Sequence, residues 1–107
     1  MKCYLDKNGN NIIEPEEIKP IIAQYLMFEI RSSIHRLKNL IRTIQLVENQ
    51  EIQSFGEAGN AYFIEVHKES LVIGYDYAEI EASLNHNEVI QAFSFYLNYL
   101  VETYESK

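Results

Sequence analysis

The densest run of oxygen-bearing side chains lies near the N-terminus. In Asp6-Lys7-Asn8-Gly9-Asn10-Asn11-Ile12-Ile13-Glu14-Pro15-Glu16-Glu17, oxygens recur at the first, third and fifth places, with an acid ninth and a glutamate twelfth. A hard cation such as calcium takes about six to eight oxygens. This spacing would offer it Asp6, Asn8, Asn10 and Glu17 through side chains and Ile12 through its carbonyl. The same stretch has a plainer reading. Asn8-Gly9-Asn10 favours positive φ and turns a chain back on itself. Residues 2–5 and 11–13 then form the two arms of a β-ribbon, and a proline-started helix follows.

The spacing resembles the calcium loop of the EF-hand family, with about twelve residues and a closing bidentate glutamate. That resemblance implies calcium as the ligand. The chain departs from the family pattern at the sixth loop position, where Asn11 replaces the usual glycine. Too few residues precede the loop for an entering helix, and no second loop is present to pair with it.

Other chemistry finds little support in the residues. Cys3 is the single cysteine, so neither an internal disulfide nor a multi-cysteine zinc site can form. No nucleophile signature surrounds it. His35, His67 and His86 have no metal-ligand spacing with one another. No Gly-x-Ser-x-Gly elbow occurs. Asp76, Glu79 and Glu81 are close enough in sequence to act as paired carboxylates, but no substrate pocket is legible around them. The expectation is a protein that is not an enzyme and needs no resident cofactor.

The tyrosines point towards binding. There are eight, with no tryptophan. Tyr75 and Tyr77 flank Asp76, and Glu79 and Glu81 follow at once. Tyrosine suits interfaces because it buries a large rigid ring while keeping a polar handle. Acids around it would pair with Lys or Arg on a partner and speed encounter. Tyr75, Asp76, Tyr77, Glu79 and Glu81 are therefore the expected partner-binding residues, with Glu65 and Glu69 as rim charges. The competing reading is a tyrosine-rich core with a solvated acidic rim.

Composition narrows the classes further. A chain of 107 residues, 47% hydrophobic, reads as one domain over 1–107 with enough apolar surface for a core. A net charge of −7 and a pI near 4.9 argue against direct nucleic-acid binding, which needs a basic patch. No apolar run approaches membrane-spanning length. Charge interrupts the first residues before any signal-peptide core develops. With one cysteine, a cytoplasmic location is expected. The charge is also unevenly spread. Residues 19–47 carry Lys19, Arg31, Arg36, Lys38 and Arg42 against Glu29 alone, whereas beyond residue 47 only Lys68 and Lys107 oppose the acids. Either these segments face each other inside the fold, or the acidic half draws in a cationic partner.

The elements that must hold these residues follow from periodicity. Leu26, Ile30, Ile34, Leu37, Ile41 and Ile44 recur at helical steps, which predicts one long helix over 21–47 starting near Pro20. Arg31, His35, Lys38 and Arg42 mark its polar stripe. The Ile30-to-Ile44 seam would serve the domain's own core or a second copy, giving a monomer or weak dimer. A short strand is predicted over 51–55, with Gly56 and Gly59-Asn60 as breakers. Residues 61–67 and 71–77 form an antiparallel hairpin around His67-Lys68-Glu69-Ser70. Tyr62, Ile64 and Val66 share one face, and Phe63, Glu65 and His67 a wetter one. Residues 78–84 read as a loop or a short helical turn. Asn85 and Glu88 fit a capping box opening a C-terminal helix that buries Val89, Phe93, Leu100, Tyr104 and either Tyr96 or Leu97. The predicted class is α+β in two layers: a long N-terminal helix, a small antiparallel sheet of two to three strands, and a C-terminal helix.

A small acidic α+β chain with tyrosine-and-acid patches resembles the bacterial immunity proteins that neutralise toxins. It is most similar in character to the CdiI-type immunity proteins of contact-dependent growth inhibition. The resemblance runs from Gly56-Glu57-Ala58-Gly59-Asn60 through the 61–77 hairpin and into residues 85–102. It implies tight one-to-one binding of a cognate toxin domain, basic and a nuclease, whose active site or substrate surface is blocked. The family shares no universal motif, so the resemblance assigns no residue a role.

Overall fold

The computed structural model describes residues 1–105. It opens with a two-stranded antiparallel ribbon, β1 (Lys2–Leu5) and β2 (Asn11–Glu14), in which Cys3 faces Ile13. Gly9, at φ 81°, supplies the left-handed residue that the turn needs. Helix α1 (Pro20–Gln24) begins on proline, whose fixed φ suits the first helical position. It widens into a π-helical segment, Tyr25–Ile30, closed by a 2.8 Å bond from the Arg31 amide to the Leu26 carbonyl. After a break come α2 (Ile34–Glu48), the meander β3 (Phe55–Ala58), β4 (Tyr62–Val66), β5 (Leu71–Tyr75) and β6 (Ile80–Leu84), and α3 (His86–Tyr104). No described helix is long and apolar enough to cross a membrane.

The α+β class is as expected, but the long helix over 21–47 is not one helix. Arg31 turns out of it at φ 59° and ψ −113°, and Ser33 caps a new one by accepting from the Arg36 amide at 3.3 Å. A serine hydroxyl offers the backbone a partner that competes with the helical ladder, so adjacent serines favour a helix start. The apolar period runs on across the break, which is why the pattern alone does not reveal it. His35, Lys38 and Arg42 form the exposed face of α2, while Arg31 stands outside it. Ile30, Leu37 and Ile44 are buried in the chain's own core.

The described residues form two sheets rather than one. Besides the N-terminal ribbon, the main sheet has four antiparallel strands in the order β3-β4-β5-β6. The expected strand over 51–55 lies later, at Phe55–Ala58, and includes Gly56 rather than stopping at it. Residues 49–52 are instead taken up by the end of α2. Gln50 is left-handed at φ 61°, and the Glu51 amide reaches back 2.9 Å to the Leu46 carbonyl, satisfying a terminal acceptor of the helix. Residues 80–84, expected as loop or helical turn, form β6. They alternate Ile80, Ala82 and Leu84 against Glu81 and Ser83, a period of two that the surrounding acids obscure.

The two hairpin faces are as the alternation predicts. Tyr62, Ile64, Val66, Leu71, Ile73 and Leu84 enter one apolar core with residues of all three helices, while Glu65, Glu81 and Ser83 lie exposed on the other side. The capping box is present: Glu88 N donates to Asn85 Oδ1 at 2.8 Å, and Asn85 N to Glu88 Oε1 at 3.1 Å. Helix α3 buries Val89, Phe93, Tyr96 and Leu100, but Tyr104, expected in the core, is exposed in the last turn. Some basic and acidic segments do meet internally. Arg36 binds the carboxylates of Glu29 (2.8 Å) and Glu57, tying the π-helical segment, α2 and β3 together. Burial disfavours its charge, but the bonds from Glu57 and Glu29 outweigh that and hold the guanidinium more firmly protonated than usual.

Candidate functional site

The main sheet presents an aromatic step at one end. Cross-strand pairing sets Tyr62, Tyr75 and Ile80 side by side on the core face of β4, β5 and β6. Phe28, from the π-helical segment, lies over Tyr62 with centroids 6.4 Å apart. Tyr62 meets Tyr75 at 4.9 Å, and Tyr75 meets Tyr77 at 5.8 Å. Inward, Tyr62 touches Tyr25 at 6.5 Å, and Tyr25 stacks on Phe93 at 6.0 Å. A chain of rings thus runs from the core to solvent. Phe93 and Tyr25 are buried, whereas Tyr77 is 76% exposed, Phe28 57% and Ile80 56%. Burial and the neighbouring Tyr75 push the Tyr62 hydroxyl above its usual pKa, so it stays a neutral donor, to Gln24 Oε1 at 3.4 Å.

Local backbone chemistry holds this step in place. A 3₁₀ turn, Asp76–Ala78, follows β5, and the Asp76 amide donates 2.8 Å to the Ala61 carbonyl. Tyr77 reaches the Asn60 carbonyl at 3.4 Å. Glu79 adopts φ 51°, the left-handed step that swings the chain into β6. Asp76 and Glu79 therefore edge the exposed rings with negative charge. Asp76 also lines a hollow of about 520 Å³ with Glu57, Phe63 and Glu65 on the open sheet face.

The expected partner-binding residues divide accordingly. Tyr75, Asp76, Tyr77 and Glu79 come together at the aromatic end. Glu65 joins Asp76 in the adjoining hollow, and Glu81 points to the same open face, across from Gly74. Glu69 is elsewhere, in the turn joining β4 to β5 at the opposite end of that hairpin, beside Glu48, Asn85 and His86. Three contributors escaped the sequence reading. Phe28 lies off the Leu26–Ile30 stripe within the predicted helix, Ile80 stands among acids, and Glu57 follows the predicted breaker Gly56.

The N-terminal oxygen run folds as a ribbon turn. Asp6 Oδ1 accepts the amides of Asn8 (2.8 Å) and Asn10 (2.9 Å), and Asp6 Oδ2 accepts Asn10 Nδ2 at 3.4 Å. These bonds, the Asn10 amide foremost, hold the carboxyl below its usual pKa. Asp6, Asn8 and Asn10 thus share one turn. Ile12 lies in β2 opposite Tyr4, and Asn11 is extended, leaving positive φ to Gly9. Strand β2 carries the chain about 10 Å from the turn at its ordinary rise, so Glu17 sits beyond the ribbon's far end. Among the described residues, no three His, Cys, Asp or Glu side chains converge as a metal group.

Of the remaining candidates, Cys3 and His86 are packed into the structure, whereas His67 is exposed just after β4. Burial pushes the Cys3 thiol up to about 11, against a smaller opposing pull from the N-terminal ammonium. His86 is buried at the start of α3 with Nδ1 3.2 Å from Glu48 Oε2. His35 is exposed on α2, 3.2 Å from the Asn39 amide. No protein-family model matches this chain, and no curated protein or solved structure shows significant similarity to it.

Proposed function

We propose that this chain is a non-catalytic binding protein whose partner surface is the aromatic end of the main sheet. The observation that supports this is a set of exposed apolar side chains, Phe28, Tyr77 and Ile80, joined through half-buried Tyr75 and bordered by Asp76 and Glu79. Exposed aromatic residues anchored to buried ones lose little side-chain freedom on binding, which is the profile of an interface anchor. The acidic border selects a cationic partner and accelerates its approach.

The partner class that fits is a basic protein domain. A nuclease is basic because its substrate is a polyanion, and an acidic protein can occupy that surface. Taken with the resemblance to CdiI-type immunity proteins, the reading is an antitoxin-like inhibitor of a cognate toxin domain, acting in the cytoplasm. Tyr75, Asp76, Tyr77 and Glu79 form the centre, Glu65 and Glu81 the flank on the open face, and Glu69 an outlying charge.

The test is affinity capture with the tagged chain from its own cells at low salt. Recovery of one stoichiometric basic domain supports the reading. The double reversal Asp76→Lys/Glu79→Lys should then slow association and flatten its salt dependence, and Tyr77→Ala should speed dissociation. Binding that is indifferent to all three substitutions would remove the aromatic end from the interface.

A further inference from the structure

The break between the π-helical segment and α2 borders a second cleft, of about 580 Å³, between the N-terminal ribbon and α3. Met27, Phe28 and Tyr104 supply its apolar walls, and Asn11, Arg31 and Ser32 its polar ones. In a chain of net charge −7, no aspartate or glutamate among the described residues lines this cleft. Arg31 itself is unusual in two ways. Its φ of 59° and ψ of −113° belong to a region that side-chain-bearing residues rarely adopt and glycine reaches freely. It also has no carboxylate partner among the described residues, whereas Arg36, five positions on, has two. Among the described residues the Arg31 guanidinium makes one bond, from Nε to the Phe28 carbonyl at 3.3 Å, which leaves both terminal nitrogens available.

Asn11 completes the donor set. Its Oδ1 accepts from the hydroxyls of Tyr99 (2.7 Å) and Tyr104 (3.1 Å). With the oxygen held that way, the amide nitrogen is left as a donor without a partner among the described residues. The cleft therefore offers a guanidinium, an oriented amide and the Ser32 hydroxyl, with aromatic and thioether walls. A planar anion on an aromatic body meets all of these: the carboxylate pairs with the guanidinium fork, and the ring packs against Phe28 and Met27.

We infer that this cleft binds an aromatic carboxylate, with Arg31 as its anion-recognising residue. Keeping arginine where glycine would be less strained has a physical reason if the side chain is what the cleft requires. This inference does not rest on the partner reading, although Phe28 borders both surfaces. A carboxylate of this kind has two sources, a free small acid such as an arylalkanoate or the C-terminal residue of a peptide.

Titration calorimetry and amide NMR shifts with defined probes test it. The probes are 3-phenylpropionate, N-acetylphenylalanine, its neutral amide, and a short peptide ending in phenylalanine with a free or amidated terminus. The three free-carboxylate probes should shift the Asn11, Phe28 and Ser32 amides saturably, and neutralising the carboxylate should weaken binding about ten- to a hundredfold. Arg31→Gln should produce the same loss. Arg31→Gly should also lose binding while melting no lower than the parent chain, because relieved strain offsets the added freedom of glycine when unfolded. A peptide preferred over the free acids identifies a chain terminus as the natural source, and the reverse a small metabolite acid. Equal binding of charged and neutral probes, unaltered binding by folded Arg31→Gln, or no saturable binding of any acid would overturn the inference.

Discussion

The Tyr96 hydroxyl, midway along α3, donates to the main-chain carbonyl of Arg31 across a sequence separation of 65 residues. That bond holds the one residue whose backbone ends the π-helical segment and permits α2 to start afresh. Tyr96 is fully buried, and burial, aided by nearby Tyr99, pushes its hydroxyl well above the usual pKa, so it remains a proton donor across the accessible range. A strained turn persists only when its surroundings over-determine it, and this contact joins the bonds from the Arg31 amide to Leu26 and from the Ser33 amide to Ile30 in doing so.

Tyr96→Phe therefore leaves the packing of α3 nearly unchanged but strands a carbonyl. The expected loss is about 1–2 kcal/mol in urea unfolding, with little change in the slope of the transition. Amide exchange should quicken at residues 31–33 before it does in α3. Uniform protection across both would show that the turn does not depend on this bond.

Gly74 in β5 lies directly beneath Phe63 of β4. A Cβ at residue 74 would fall 2.2 Å from the tip of the Phe63 ring and 3.1 Å from the Ile80 carbonyl. Gly74→Ala should cost about 1–2 kcal/mol, because the ring must swing off the strand it covers. Phe63→Leu alone loses ring packing, but in the double variant the two costs should sum to less than their separate values. Strict additivity in a thermal or denaturant series would refute the contact.

Asp6 provides the pH-dependent element of the ribbon. Its carboxyl is held below the ordinary value of 3.8, chiefly by the Asn10 amide. A carboxyl depressed in the folded state contributes its stabilisation in full above the unfolded value and loses it as pH falls through the folded one. The β1–β2 turn should thus loosen only below about pH 4, seen as broadening or shifting of the Asn8 and Asn10 amide resonances. Asp6→Asn should remove that transition while leaving the main sheet's resonances in place.

Cys3 should be slow to alkylate. With its thiol pushed up to about 11, the thiolate that reacts is scarce at neutral pH. Iodoacetamide labelling of the folded chain should lag well behind that of the urea-unfolded chain, with its rate still climbing above pH 9. A midpoint at or below the ordinary thiol value would show that the site is not desolvated in solution.

How much of this was legible in advance varies with how local the cause is. The capping box at Asn85 and Glu88 joins residues three apart, so its side chains suffice to specify it. Alternation in residues 61–77 separates Tyr62, Ile64 and Val66 from Phe63 and Glu65 because strand side chains point to opposite faces in turn. Pro20 likewise announces the start of α1. For the candidate surface, Tyr75, Asp76, Tyr77 and Glu79 were visible because they are neighbours in one turn, whereas Phe28 joins them only through the fold.

The sequence alone determined an acidic α+β chain, a ribbon turn at Asn8-Gly9-Asn10, an antiparallel hairpin with its two faces, though its second strand ends at Tyr75 rather than Tyr77, and a capped C-terminal helix. Tertiary structure decided where the long apolar stripe breaks, that residues 80–84 pair with β5, and which rings remain uncovered. The physical reason lies in the range of the interactions. Caps, turns and alternation are settled by side chains a few positions apart, and their energies favour one local answer. The break at Arg31 is met by a hydroxyl from Tyr96, 65 residues away, and the exposure of Phe28, Tyr77 and Ile80 depends on where the helices stop covering the sheet.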